Sequence, residues 1–173
     1  MSSIYFFRGK AATGKTAITN ILSNRINVSI LRKDNIFDVV SHYIADNSLN
    51  NSVTYDLLSK LIQTNIDNGA DVIVDIGLSN TDGWKTFQSK IDFKNSTVFT
   101  FLCDCSDMAI WKKRFEERLK NPAPNQYFKT VEEVLSYYSK SKIELLHDEY
   151  YIDSAKSMES IINFVCKTIN IFV

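Results

Sequence analysis

The stretch Phe6–Ile18, FFRGKAATGKTAI, constrains this chain more than any other. Gly9, Gly14, Lys15 and Thr16 stand at the offsets G-x-x-x-x-G-K-[ST], directly after the apolar run IYFF. Each residue type in the pattern has a physical purpose. Glycines at the two fixed positions let the backbone turn tightly and aim its N–H groups inward. The lysine adds a point charge, the threonine a hydroxyl, and a helix starting there contributes partial positive charge at its N-terminus. The product is a cradle for the phosphates of a nucleotide. The candidate contacts are Gly9, Lys10, Ala11, Ala12, Thr13, Gly14, Lys15, Thr16 and Ala17. Lys15 is expected at the β and γ phosphates and Thr16 on Mg²⁺.

Such a cradle needs a strand before it and a helix after it, and the chain supplies both. Ser3–Arg8 reads as a buried strand and Lys15 to about Arg25 as a helix. Further apolar runs at Val28–Leu31, Asp71–Gly77, Thr97–Cys103 and Tyr150–Asp153 read as strands. Helical periods fall at about Ile36–Ala45, from Val53 to Gly69, at Asp107–Lys120 behind a Ser106 cap, at Val131–Leu146, and after Ser157. The segment DNSLNNS (46–52) reads as a polar loop, and NPAPNQYFK (121–129) as a break carrying both prolines of the chain. Strands alternating with helices give an α/β fold, a mostly parallel sheet with helices on both faces. Ligands in such folds bind at the carboxyl ends of the strands. Gly9, Arg32–Asp34, Asp75–Gly77 and Cys103–Ser106 are therefore expected to converge.

The length of 173 residues suits a single domain. Twenty basic residues balance twenty acidic ones, so nothing draws the chain in general to nucleic acid or to an anionic membrane. Arg8, Lys10 and Lys15 interrupt the first apolar run, which excludes a secretory h-region there, and no stretch approaches a membrane span of about 20 residues. Three cysteines, an odd number, fit free thiols in a reducing, cytoplasmic setting; Cys103 and Cys105 without partners make a poor metal site.

Three features bear on chemistry beyond binding. Asp34 in ILRKDNIF follows the second strand and is placed to accept a proton from a hydroxyl nucleophile; the competing reading is a helix cap. Asp75 ends the run DVIVD, where a carboxylate can hold magnesium. Arg114 and Arg118, four apart, share a helix face leading into the proline-rich break. They can stack on a base and neutralise charge on a transferred group. The region around residues 115–130 is the candidate lid.

In order, GKAATGKT, RKDNIF, VIVDIGLSN, WKKRFEERL and YYIDSAKSMESIINFV resemble the small P-loop kinases, a group including adenylate-kinase-like, gluconate-kinase, chloramphenicol-phosphotransferase and polynucleotide-kinase types. The likeness covers essentially the whole chain. It implies a three-layer P-loop NTPase fold with a five-stranded parallel sheet in order 2-3-1-4-5. It also implies ATP with Mg²⁺, adenine near Ser154–Lys156, an acceptor near Asp34, and lid arginines at Arg114 and Arg118.

The chain departs from the polynucleotide-type pattern after Asp34. Asn35, Ile36, Phe37 and Asp38 offer no cation to grip a substrate phosphate, and Asp38 repels an anion. A small neutral or cationic hydroxyl compound, a metabolite or an antibiotic, is the expected acceptor, with Asp34 or Asp38 as base. Phe37, Tyr43, Trp84, Phe87 and His42 are possible pocket residues, though core packing suits any one of them. A nucleic-acid 5′-end or nucleotide kinase, and a nucleotide-binding module without catalysis, are the alternatives. A regulatory GTPase is excluded by the lack of an N-K-x-D guanine reader. A monomer or homodimer is expected.

Overall fold

A computed structural model describes residues 1–122 and 125–171. Five strands, β1 (Ser3–Gly9), β2 (Ile30–Arg32), β3 (Val72–Asp75), β4 (Thr97–Asp104) and β5 (Glu149–Asp153), form one sheet in the order β2-β3-β1-β4-β5. Every pairing is parallel, with Phe7 opposite Asp75, Gly9 opposite Cys103 and Arg32 opposite Asp75. This is the three-layer P-loop NTPase architecture.

The alternation of side chains along β1 explains the layering. Ile4 and Phe6 pack to one face with Leu58 and Ile62 of α3 (Asn47–Asp67) and Trp84 of α4 (Thr81–Gln88). Tyr5 and Phe7 pack to the other with Ile18 and Leu22 of α1 (Lys15–Ile26) and Ile162 and Val165 of α7 (Met158–Thr168). A central strand buried on both faces reads as a continuous apolar run, which is why IYFF lacks alternation in its sequence. A third cluster lies beyond the sheet, where Trp111 and Phe115 of α5 (Met108–Lys120) meet Val134 of α6 (Val131–Lys140).

Several expected boundaries move, each for a local reason. The segment expected as a polar loop forms the first turns of α3. Asp46 caps them by accepting from the Leu49 amide, and Asn50 and Thr54 are buried at helical spacing ahead of Leu58 and Ile62. A polar start to a buried face hides from apolar periodicity. Helix α4 has no sequence-based counterpart: eight residues starting from an Asn80 cap are too few to show a period. The cap of α5 is Asp107, not Ser106, whose hydroxyl donates instead to Asp153. Helix α6 stops at Lys140 rather than Leu146, because 141–149 crosses back to the sheet. There Thr81 donates its amide to the Lys142 carbonyl.

Arg8 anchors that crossing. Its guanidinium is fully buried and donates to both Glu149 carboxylate oxygens, at 2.7 and 2.5 Å, and to the carbonyls of Glu144 and Ser79. A buried pair is tolerable only when its hydrogen bonds are satisfied in this way. No helix among the described residues is long and apolar enough to cross a membrane.

Candidate active site

The loop between β1 and α1 begins with a glycine that no other residue can replace. Gly9 has φ +131°, and a Cβ built on it falls 2.0 Å from the Cys103 carbonyl oxygen of β4. The sheet's own closeness excludes a side chain there. Gly14 has φ +77° and stands immediately before α1, turning the chain into the helix. Between them Ala12 sits at φ +59°, a left-handed conformation uncommon for a residue with a Cβ. Lys15 curls over the loop, its Nζ donating to the Lys10 and Gly9 carbonyls at 2.6 and 3.2 Å. Lys10 pairs with Asp104 at 2.9 Å.

Thr16, in the first turn of α1, donates its hydroxyl to Asp75 Oδ2 at 2.8 Å. Asp75 is nearly buried, and that burial raises its pKa; the Lys15 charge and the Thr16 bond pull the other way and are outweighed. Arg32 Nε lies 3.7 Å from the same Oδ2 and is buried with no hydrogen-bond partner among the described residues. The Arg32 guanidinium also donates to Asn20 Oδ1.

Asp34 sits in the first turn of α2 (Lys33–Ser41), which follows β2 without a connecting loop. An acidic residue there is favoured by the helix dipole. Its side chain is 50% exposed, and Lys33 Nζ lies 3.8 Å from Oδ1. The Lys33 stem folds back under the helix, its ammonium 4.2 Å from the Phe37 ring centroid, and burial lowers its pKa. One turn further on, Asp38 leaves Oδ1 buried and unbonded among the described residues. Burial raises the pKa of Asp38, and the like charge of Asp34 adds to the rise.

These elements surround one cavity of about 550 Å³. Ala11 to Thr16 and Asp75 form its floor, Asp34, Asn35, Asp38 and Arg32 one wall, and Arg118, Asn125 to Phe128 and Tyr138 the other. Arg118 binds that wall together: Nε donates to Gln126 at 2.6 Å and Nη2 to Asn125 at 3.1 Å. Of the expected lid break, Ala123 and Pro124 lie outside the described residues.

Other sequence candidates are placed elsewhere. Arg114 faces away from the cavity and donates to the Ser154 carbonyl and hydroxyl at 2.9 and 3.1 Å. Trp84 and Phe87 are core residues and Tyr43 is 85% exposed, so none of the three lines the cavity. Phe37 lies under Lys33 in the buried face of α2, and His42 ends that helix. Cys103 is buried, which pushes its thiol up to about 12, and no metal cluster of His, Cys, Asp or Glu exists among the described residues. Positions 35–38 carry no cation, as the sequence shows, but the same cavity wall holds Arg32, brought by the strand end before Asp34. Asn125 and Gln126 fall in the segment expected as a lid, but Tyr138 carried no sequence signal, because its place depends on how α5 and α6 pack.

Solved structures share this architecture at low identity. A sugar kinase from a Janibacter species matches with a TM-score of 0.70 and 13% identity over 99% of this chain and 96% of that one. A gluconokinase from Sinorhizobium meliloti matches at 0.66 and 9%, over 98% and 95%. The Deinococcus radiodurans tunicamycin resistance protein matches at 0.65 and 15%, over 99% and 98%. No curated protein matches the sequence. Residues 4–141, from the P-loop through the Asp34 helix to the end of α6, match the AAA domain family, and the chain belongs to that family.

Proposed function

We propose that this protein is an ATP-dependent kinase that phosphorylates a hydroxyl of a small neutral or cationic compound. The observation that carries the reading is the meeting of Lys15, Thr16, Asp75 and Asp34 around one cavity roofed by Arg118. ATP supplies the γ-phosphoryl group. The amides of the P-loop and the start of α1 hold its phosphates, and Lys15 swings from the loop carbonyls to meet their charge. Thr16 and Asp75 present hard oxygen donors at hydrogen-bond distance, a donor set that fits Mg²⁺ bound largely through water and phosphate. Asp34 orients the acceptor hydroxyl and takes its proton as the new P–O bond forms. Arg118 leaves its two amide partners on the lid to neutralise charge on the transferred group. Arg114 braces Ser154, on the side the resemblance gives to adenine.

Asp38 supports a donor-bearing, non-anionic acceptor, since its unbonded buried oxygen can accept from a hydroxyl or an ammonium. The names carried by the similar structures, a sugar kinase and a gluconokinase among them, agree with small hydroxyl compounds. One observation favours a second reading: the Arg32 Nε in the wall, which makes no hydrogen bond among the described residues, suits an anionic acceptor such as a nucleotide. ADP release measured across sugars, polyols, amino alcohols, antibiotics and nucleoside monophosphates, with phosphorus NMR on each hit, decides between them. Turnover confined to nucleoside monophosphates would reject the first reading, and nucleotide binding without turnover of any compound would reject both.

A further inference from the structure

Ala11, third residue of the P-loop, has both backbone polar groups engaged by side chains from the helices on either side of the proline-rich connection. Its N–H donates to Tyr138 Oη of α6 at 2.7 Å. Its carbonyl accepts from Trp111 Nε1 of α5 at 2.8 Å. The two rings meet edge to face with centroids 6.0 Å apart, and Lys10 Nζ stands 5.9 Å from the Tyr138 centroid. Next along the chain is Ala12, in its left-handed conformation. Such a conformation persists only where the surroundings over-determine it. The residue before it is held from two sides, by groups 100 and 127 positions away in sequence.

We propose that Tyr138 and Trp111 are positioning residues: they clamp Ala11 through the two peptide units that flank it and so make the shape of the phosphate cradle depend on the docking of α5 and α6. The inference rests on the reading of the loop as a nucleotide site. An amide in a tight loop can turn toward a bound anion or away from it. The tyrosine hydroxyl fixes the direction of the Ala11 N–H. The cradle is thereby shaped before the nucleotide arrives, and preorganisation of this kind raises affinity. Because Tyr138 also lines the cavity, a displacement of α6 reaches the loop through one hydrogen bond.

Tyr138→Phe removes the hydroxyl and keeps the ring. In the parent without nucleotide, the Ala11 amide should exchange its hydrogen slowly; in Tyr138→Phe it should exchange at least tenfold faster. Calorimetry with Mg-ADP should show affinity reduced about 5- to 20-fold in Tyr138→Phe, and likewise in Trp111→Phe. Val134→Ala loosens the same cluster without removing a bond to Ala11; it should lower the melting temperature and leave Mg-ADP affinity within twofold. Equal affinity in parent and Tyr138→Phe overturns the proposal. So does a loss in Val134→Ala as large as in Tyr138→Phe, which would make the effect one of packing alone. A parent that fails to bind Mg-ADP overturns the nucleotide reading itself, while unchanged Ala11 exchange in Tyr138→Phe disproves the clamp separately. If Tyr138→Phe does not fold, Trp111→Phe carries the same comparison.

Discussion

Thr16 and Asp75 lie 59 positions apart, on a helix and a strand end, yet the hydroxyl of one donates to the carboxylate of the other over 2.8 Å. The contact exists because β1 and β3 are adjacent and parallel, with Phe7 opposite Asp75, so the first turn of α1 rises beside the end of β3. The bond holds the two oxygens side by side at the edge of the cavity. It does so at a cost in stability, since Asp75 is charged and nearly buried.

That cost has a sign that pH reveals. Burial raises the folded pKa of Asp75 above the ordinary 3.8, so the unfolded chain releases this proton at lower pH. Stability attributable to Asp75 is therefore lost as pH rises from 3.8 through the folded value. Asp75→Asn should escape the loss. Urea unfolding at a series of pH values should show the variant gaining on the parent across this window, then a constant gap above it. A difference that shrinks with rising pH would contradict the assignment. The variant should also lose the Mg²⁺ dependence of nucleotide binding.

Lys15 is the cation nearest the loop carbonyls, and it is already held by two of them. Lys15→Ala should leave the fold intact and weaken ATP binding roughly 10- to 100-fold, as expected for the loss of charged hydrogen bonds. Calorimetry checks this; equal affinity in parent and variant would remove Lys15 from the phosphate site.

Asp34 distinguishes a base from a cap. Asn can occupy the first turn of a helix and hydrogen-bond to a hydroxyl, but it does not take a proton. Asp34→Asn should keep the melting temperature and ATP affinity while lowering turnover by about 10²–10⁴-fold. Steady-state ADP release measures it. Turnover within a few-fold of the parent would move the base to Asp38.

In the proposed function Asp38 sets the charge of the wall that faces the acceptor. Asp38→Asn should narrow the preference for cationic over anionic acceptors and leave Mg-ATP affinity unchanged. Competition between a phosphorylated and an unphosphorylated acceptor, in parent and variant, provides the ratio; an unchanged ratio would place Asp38 outside acceptor recognition.

Gly9→Ala should destabilise by roughly 3 kcal/mol or more, because left-handed strain and overpacking against the Cys103 carbonyl act together. Thermal unfolding reads it directly. A Tm within two degrees of the parent would mean that β1 and β4 separate more easily than their register suggests.

Much of this was legible in the sequence because it depends on local chemistry. The P-loop shows itself in four residues at fixed offsets, and the strands in short apolar runs whose carboxyl ends must meet in a parallel sheet. The positions of Asp34 and Asp75 follow from that topology. What could not be read depends on packing between distant parts. Asn50 and Thr54 are polar yet buried, so the start of α3 looked like a loop. Arg114 and Arg118 share a helix face, but only Arg118 turns into the cavity, because Ser154 captures the other. Arg32 looked like an ordinary strand-end residue until its register with Asp75 placed it in the wall.

The buried pairing of Arg8 with Glu149 has a consequence for how the protein is made. The strand that opens the P-loop is synthesised before β5, and its guanidinium finds its carboxylate 141 positions later. Until then Arg8 must remain hydrated, and the centre of the sheet cannot close around it. The nucleotide cradle, although encoded well before β5, is therefore finished only when β5 is synthesised. Nascent chains released before β5 should expose the apolar faces of β1 and β4 and be clients for chaperones and proteases.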